Sequence, residues 1–270
     1  MLRSDSQTSR LGSALSRDPA FIGIGFQKCG SSSLFRFLAN SIPGFVRPKK
    51  ERSLGRKELH FFSRRRLMAF SERERYFRHF PPGEMFGEFT PNYIYSPTSL
   101  INISRLFPEA KLLVIVRDPV ERFYSALDHA KGVGEIDPDM SDWDAIQGSL
   151  RSSRGWISGL LSNGLYWSHL SMAFSIVESS RIFMTTLDRM KSEKKSSSEF
   201  QRLFDYLGIS GQLVEKKAWP NANSFGNGKR ADRLPERSQR TDRALDFLGE
   251  YYDVQKQALS SDFGLNFHAD

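Results

Sequence analysis

The chain has 270 residues, 39% hydrophobic and 26% charged, the composition of a globular protein long enough to bury a substantial core. Lysine and arginine outnumber the acids 39 to 31, and the net charge of +8 favours an anionic partner without choosing among nucleotide, acidic substrate, nucleic acid and membrane surface. The single cysteine, Cys29, excludes an internal disulfide, and the longest purely aliphatic run, Leu112–Val116, is too short to span a bilayer, so a cytoplasmic protein is expected.

Residues 1–19 are rich in serine and arginine and read as a flexible tail, leaving 20–270 as one domain. The stretch AFIGIGFQKCGSSSLFRFLAN, residues 20–40, reads as strand, glycine-rich loop and helix. Inward-turned amides, a helix N-terminus and the charge of Lys28 suit such a loop to a phosphate-like anion. The usual nucleotide loop, G-x-x-x-x-G-K-[ST], sets its lysine just before Ser/Thr, whereas here Lys28 precedes Gly30 and the serines follow without one. An ordinary strand-to-helix turn is the plainer alternative. Cys29, with no histidine near it in sequence, is expected to be structural.

Downstream, Phe45 and Val46 suit a short strand, and Lys57-Glu58-Leu59-His60 places an acid and a histidine on one face if extended. Ser71 and Glu74 form a capping-box pattern for a helix to about His79. Residues 87–97 read as a strand entering an aromatic loop, and 99–107 as a helix. The aliphatic run of residues 110–116 fits a buried parallel strand. It ends at Arg117, after which Asp118, Pro119 and Glu121 predict a capped helix to Ala130. Arg122, Ser125 and His129 share one face of that helix. Residues 131–163 read as irregular helices forming a lid or acceptor wall. A helix from about Gly164 through Val177 and a strand at 181–185 follow. KSEKKSSSE reads as a solvated linker, residues 200–207 as a helix closed by Gly208, and about 240–259 as a final amphipathic helix. Strands alternating with helices predict a parallel α/β sheet.

Four polar clusters fall at strand ends or loops: Lys28 with 30–33, Glu58 with His60, Arg117 with Ser125, and Lys229 with Arg230. In an open α/β sheet, ligands bind beyond the carboxyl ends of strands, so the first three converge on one crevice. They suit a nucleotide with two separate anionic groups. Each has a plainer alternative: Arg117 paired with a surface acid, Glu58 and His60 as exposed strand polars, Lys229 and Arg230 in a solvated loop.

The motifs GFQKCGSSSLFRFL, KELHFF, GEFTPNYIYSP, VIVRDPVERFYSAL and GLYWSHL, in this order and spacing, resemble the sulfotransferases that use 3′-phosphoadenosine 5′-phosphosulfate (PAPS). The likeness is nearest to the carbohydrate branch, the heparan sulfate N- and 3-O-sulfotransferases, and covers about residues 21–189. It implies a P-loop NTPase-like fold, a central parallel sheet flanked by helices. It further implies that Gln27, Lys28, Cys29, Gly30, Ser31, Ser32 and Ser33 hold the 5′-phosphosulfate, with Lys28 on the bridging oxygen. Arg117 and Ser125 would bind the 3′-phosphate, and Gly228, Lys229 and Arg230 would cover the nucleotide. Glu58 would be the general base, its pKa raised by burial, with His60 beside it; His60 and Glu88 are the alternatives for that role. The implied product is 3′-phosphoadenosine 5′-phosphate (PAP) and the acceptor a carbohydrate or small molecule, with no metal, nucleic acid or membrane partner.

Two departures stand out. The heparan branch commonly has Glu-Lys-Thr/Ser-Pro where this chain has Glu88-Phe89-Thr90-Pro91, so a rim lysine is missing whose task falls to Lys57 or disappears with a less acidic acceptor. The loop has Cys29 and Ser31 to Ser33 where Thr-Gly-Thr-Thr is usual, which keeps the hydroxyls. Acceptor specificity is expected in residues 131–163 and around Tyr93 and Tyr95, the plainer alternative being that these aromatics close the core. The rivals are a Mg²⁺-dependent kinase or NTPase with a variant loop and a non-enzymatic binder of polyanions.

Overall fold

A computed structural model describes residues 18–49, 57–83, 85–153, 155–192, 196–209, 219–220 and 238–267. The apolar runs form the middle of a five-stranded sheet. β1 (Phe21–Gly25) lies between β3 (Met85–Phe89) and β4 (Leu112–Val116), with β2 (Phe45–Val46) and β5 (Ile182–Thr186) at the edges, and every pairing is parallel. Every residue of β1 and β4 is buried, which explains why both lack polar alternation.

The helices are α1 (Ser31–Ser41), α2 (Glu72–Phe77), α3 (Pro97–Leu106), α4 (Pro119–Gly132), α5 (Asp142–Arg151), α6 (Gly155–Ser162), α7 (Tyr166–Ile176), α8 (Leu187–Lys191), α9 (Ser196–Leu207) and α10 (Asp242–Phe263). One core lies around the sheet with α1, α3 and α7. A second joins Phe123 and Leu127 of α4, Ile146 of α5, Leu160 of α6 and Leu248 of α10. Asp142 knits this second core: it is buried and accepts from Tyr124 Oη at 2.9 Å and from the backbone of Thr241 at 2.8 Å. No helix among the described residues is long and apolar enough to cross a membrane.

Several local expectations give way to tertiary contacts. Residues 131–163 are not irregular but supply two regular helices, α5 and α6, because their apolar positions cover α4 and α10. Ser71 is itself helical and makes no side-chain cap; the helix stops at Phe77, and buried Glu72 instead pairs with Arg66 at 3.4 Å and Arg75 at 3.1 Å. Asp118 caps α4 as expected, accepting from the backbone of Val120 and Glu121, yet Glu121 does not close the box. Its carboxylate is drawn to Arg117 and Arg240. The serine-rich end of the expected linker begins α9, where Glu199 is buried against Arg202 at 2.6 Å. Residues 1–17 lie outside the described residues, but Asp18 is tied to Arg73 at 2.9 Å and accepts from the backbone of Glu109, so the expected tail ends before it.

Gly23 is required by close approach. A Cβ there would lie 2.1 Å from the ring of Phe89, a fully buried residue on the neighbouring strand. Gly23→Ala is therefore expected to lower the melting temperature by ~5–10 °C, on the order of 2–3 kcal/mol of overpacking. Adding Phe89→Leu should recover part of the loss in the same thermal melt.

Candidate active site

The loop after β1 is shaped by two left-handed residues, Lys28 at φ 65° and Gly30 at φ 95°. Such alternation curls successive amides toward one point. α1 begins there with no side-chain cap at its first residue and no acid in its first turn, so its dipole end faces the curl. Lys28 is half-buried, with no hydrogen bond or ion pair among the described residues. Burial, followed by repulsion from Arg122, Lys57 and Arg117, pushes its pKa down to about 8. A half-buried ammonium with no ion pair among the described residues, opposed by three cations and favoured only by the charge of Asp128, fits an anion supplied from outside at this uncapped helix start.

Cys29 is fully buried, its sulfur 3.3 Å from Tyr166 Oη and 3.4 Å from the Gln27 carbonyl. Burial raises its pKa to about 11, so the thiol stays protonated and serves as packing that fastens the loop to α7, as its sequence setting suggests. The Gln27 amide donates to Tyr95 Oη at 3.4 Å. Ser31 and Ser33 are buried and Ser32 is half-buried.

Parallel pairing of β1 with β4 sets Arg117 beside this loop. Arg117 is half-buried and bonds Glu121 at 2.9 Å, and Glu121 also accepts from Arg240. The pairing with a neighbouring acid is thus present, alongside the position expected of an anion ligand. Ser125 lies two turns into α4 and is half-exposed. On the face it shares, Arg122 is fully buried and donates to the carbonyls of Gly159 at 3.1 Å and Leu160 at 2.7 Å, while His129 packs on Trp156. That face is therefore largely occupied by α6. Gly228, Lys229 and Arg230 lie outside the described residues.

The third cluster is held from below by β3. Buried Glu88 accepts from the Leu59 amide at 3.2 Å, Thr90 Oγ1 at 2.5 Å and Tyr93 Oη at 2.7 Å. Thr90 Oγ1 in turn accepts from the amides of Leu59 and His60, fixing His60 at φ 49°. Glu58 and His60 do fall together, with Nε2 3.1 Å from Oε2, although by a turn and not an extended strand. Lys57 Nζ lies 2.6 Å from the other Glu58 oxygen and donates to Ser31 Oγ at 3.2 Å.

Electrostatics divides the two acids. Burial alone would raise Glu58, but the His60 hydrogen bond and the Lys57 charge outweigh it and hold the carboxyl below its usual range. The expectation of a raised Glu58 is thereby corrected. Glu88 is the raised one, to about 7, because burial outweighs its hydrogen bonds. Tyr93 is not an acceptor-facing aromatic: it is fully buried, with its hydroxyl committed to Glu88. The Glu88 clamp was not anticipated, nor was the contact of Lys57 with Ser31, although Lys57 was expected as a stand-in for the missing rim lysine. Glu88 and Thr90, two apart on a strand and so on one face, were the available signal for the clamp.

Fold and site define a parallel α/β protein of the P-loop type, with a cationic loop suited to a nucleotide-borne anion and an acid–histidine pair across from it. The sulfotransferase-domain family model matches residues 18–221, and the chain belongs to that family. Heparan sulfate glucosamine 3-O-sulfotransferase 3B1 of Mus musculus is 27% identical over 211 residues, 75% of this chain and 49% of that protein. Heparan sulfate glucosamine 3-O-sulfotransferase 6 of Homo sapiens is 27% identical over 213 residues, 76% of this chain and 57% of that protein. The chain thus spans about half the length of the curated relatives it matches. The crystal structure of a sulfotransferase from Alicyclobacillus acidocaldarius has the same fold, with a TM-score of 0.66 at 20% identity over 94% of this chain and 97% of that one.

Lys28 gives a test that needs no substrate. Its depressed pKa means that the folded chain sheds a proton near pH 8 while the unfolded chain keeps it to about 10.5, so stability should rise with pH across that window. Lys28→Met should make this rise shallower than in the parent, the remainder coming from Lys57 and Lys111, and at pH 7 melt ~5 °C higher, as expected when a desolvated charge without an ion pair is replaced by an isosteric apolar chain. Denaturant titrations at pH 7, 8, 9 and 10 check both.

Proposed function

We propose that the chain transfers a sulfuryl group from PAPS to a hydroxyl or amine of a carbohydrate or carbohydrate-bearing small molecule. The observation that carries this reading is the half-buried Lys28, without an ion pair among the described residues, in a glycine loop, with the Glu58–His60 pair reached from the same loop through Lys57. Similarity to the heparan sulfate 3-O-sulfotransferases supports the carbohydrate side of the proposal.

When bound, PAPS supplies a sulfuryl group that leaves its 5′-phosphate as the acceptor attacks in line. Gln27 through Ser33 cradle the phosphosulfate with backbone amides and the helix end. Lys28 places its ammonium where negative charge grows on the departing oxygen, so it stabilises the transition state more than the ground state. Arg117 and Ser125 take the 3′-phosphate, with Arg117 sharing its guanidinium between that group and Glu121. Glu58 receives the acceptor proton. Held ionised at neutral pH by the His60 hydrogen bond and the Lys57 charge, it is always ready but weakly basic, so it takes the proton late, as the attacking atom becomes acidic.

The test follows conversion of PAPS to PAP with a panel of saccharide and aminosugar acceptors. The parent should turn over at least one acceptor and be stabilised by PAPS in a thermal melt, while Lys28→Ala should do neither. Equal background rates for both proteins with every acceptor, together with no PAPS-induced shift, would sink the reading. Glu58→Gln is expected to lose ~10²–10⁴ in turnover while still binding nucleotide.

A further inference from the structure

Lys57 is buried far more deeply than pairing with Glu58 requires. Only 8% of the residue is exposed, and the ammonium lies between two elements from different parts of the chain. On one side is Glu58 Oε1 at 2.6 Å; on the other is Ser31 Oγ at 3.2 Å, in the first residue of α1 and so within the anion loop. Its floor is the ring of Phe89, 5.7 Å below at the carboxyl end of β3. The backbone is pinned as well, since the Lys57 carbonyl accepts from the Phe89 amide at 2.9 Å and Glu88 holds the next turn through Leu59. A surface ion pair leaves its lysine free to move, whereas this one has a single direction in which to point.

We propose that Lys57 is a catalytic residue, an ammonium that binds a non-bridging oxygen of the sulfuryl group and escorts it from the Ser31 end of the loop toward the attacking atom. The proposal rests on the sulfuryl-transfer reading above. In the step, the acceptor oxygen or nitrogen forms a bond to sulfur, and the bond from sulfur to the bridging oxygen breaks with its electron pair remaining on the nucleotide. The acceptor proton passes to Glu58. Lys28 and Lys57 then divide the charge: Lys28 serves the oxygen that leaves, Lys57 the group that moves. The contact to Ser31 places Lys57 on the donor side of the transfer, and the contact to Glu58 ties the same ammonium to the group that takes the proton. Donor binding also loosens Glu58, because the sulfuryl oxygens compete for the ammonium that otherwise holds it.

PAP lacks the sulfuryl group and PAPS carries it, so comparing their affinities isolates this contact. Dissociation constants for both are measured by calorimetry on the full chain and on Lys57→Met, together with slow release of sulfate from PAPS to water. Lys57→Gln, which keeps a donor for Ser31 without the charge, replaces Lys57→Met if the latter does not fold. The expected result is PAP binding within about twofold of the parent, PAPS binding weaker by about tenfold or more, and sulfate release slower by ~10²-fold, the usual scale for a lost charged donor. Unchanged PAPS affinity with unchanged sulfate release overturns the proposal. So does an equal loss of PAP and PAPS binding, which would make Lys57 a prop for the loop. A parent chain that binds neither ligand overturns the sulfuryl-transfer reading itself and the proposal with it, an outcome distinct from both of the others.

Discussion

The constraint on which this structure depends is the gathering of four cations, Lys28, Lys57, Arg117 and Arg122, at the carboxyl ends of β1 and β4 with too few anions to match them. Each is dealt with differently. Lys57 and Arg117 each have a carboxylate neighbour, Arg122 is held by carbonyl oxygens in the last turn of α6, where the helix dipole is negative, and Lys28 has no ion pair among the described residues. Like charges gathered in a poorly polarisable interior repel one another, and the surrounding frame holds them in place. Two cores supply that frame, one around the sheet and one around α4, α5, α6 and α10. Arg122 is the joint between them, emerging from a helix that follows a sheet strand and ending on the backbone of the second core.

Much of this was legible locally. Continuous apolar runs pointed to β1 and β4, the glycines around Lys28 to the loop that leads into α1, and Asp118-Pro119 to the start of α4, because these features depend on neighbours in sequence. What escaped depends on distant residues. Glu121 looked like the closing member of a capping box until Arg240, 119 positions away, claimed its carboxylate. Ser71 and Glu74 had the same pattern, but the backbone at Ser71 is already helical and no cap can form. The composition of residues 131–163 suggested irregularity because the partners that make its helices amphipathic, α4 and α10, lie outside the window.

The site shows the same division. The joining of Glu58 to His60 was readable from a spacing of two, but the sign of the Glu58 shift was not. Burial and charge oppose each other there, and only the position of Lys57 decides which wins. At Tyr93 the sequence left acceptor contact and core closure open, and the burial of Glu88 decides for the core, because a tyrosine next to a buried carboxyl is recruited to satisfy it.

Phe89 touches two residues that are themselves remote in sequence. Its ring fills the space left by the absent side chain of Gly23 on one strand and underlies the ammonium of Lys57. Positions 23, 57 and 89 therefore do not vary independently. A lysine at 89, as the heparan branch commonly has, would bring a second ammonium toward Lys57 and remove the ring that covers Gly23. In sequences that share this fold, positions 23, 57 and 89 should therefore change together.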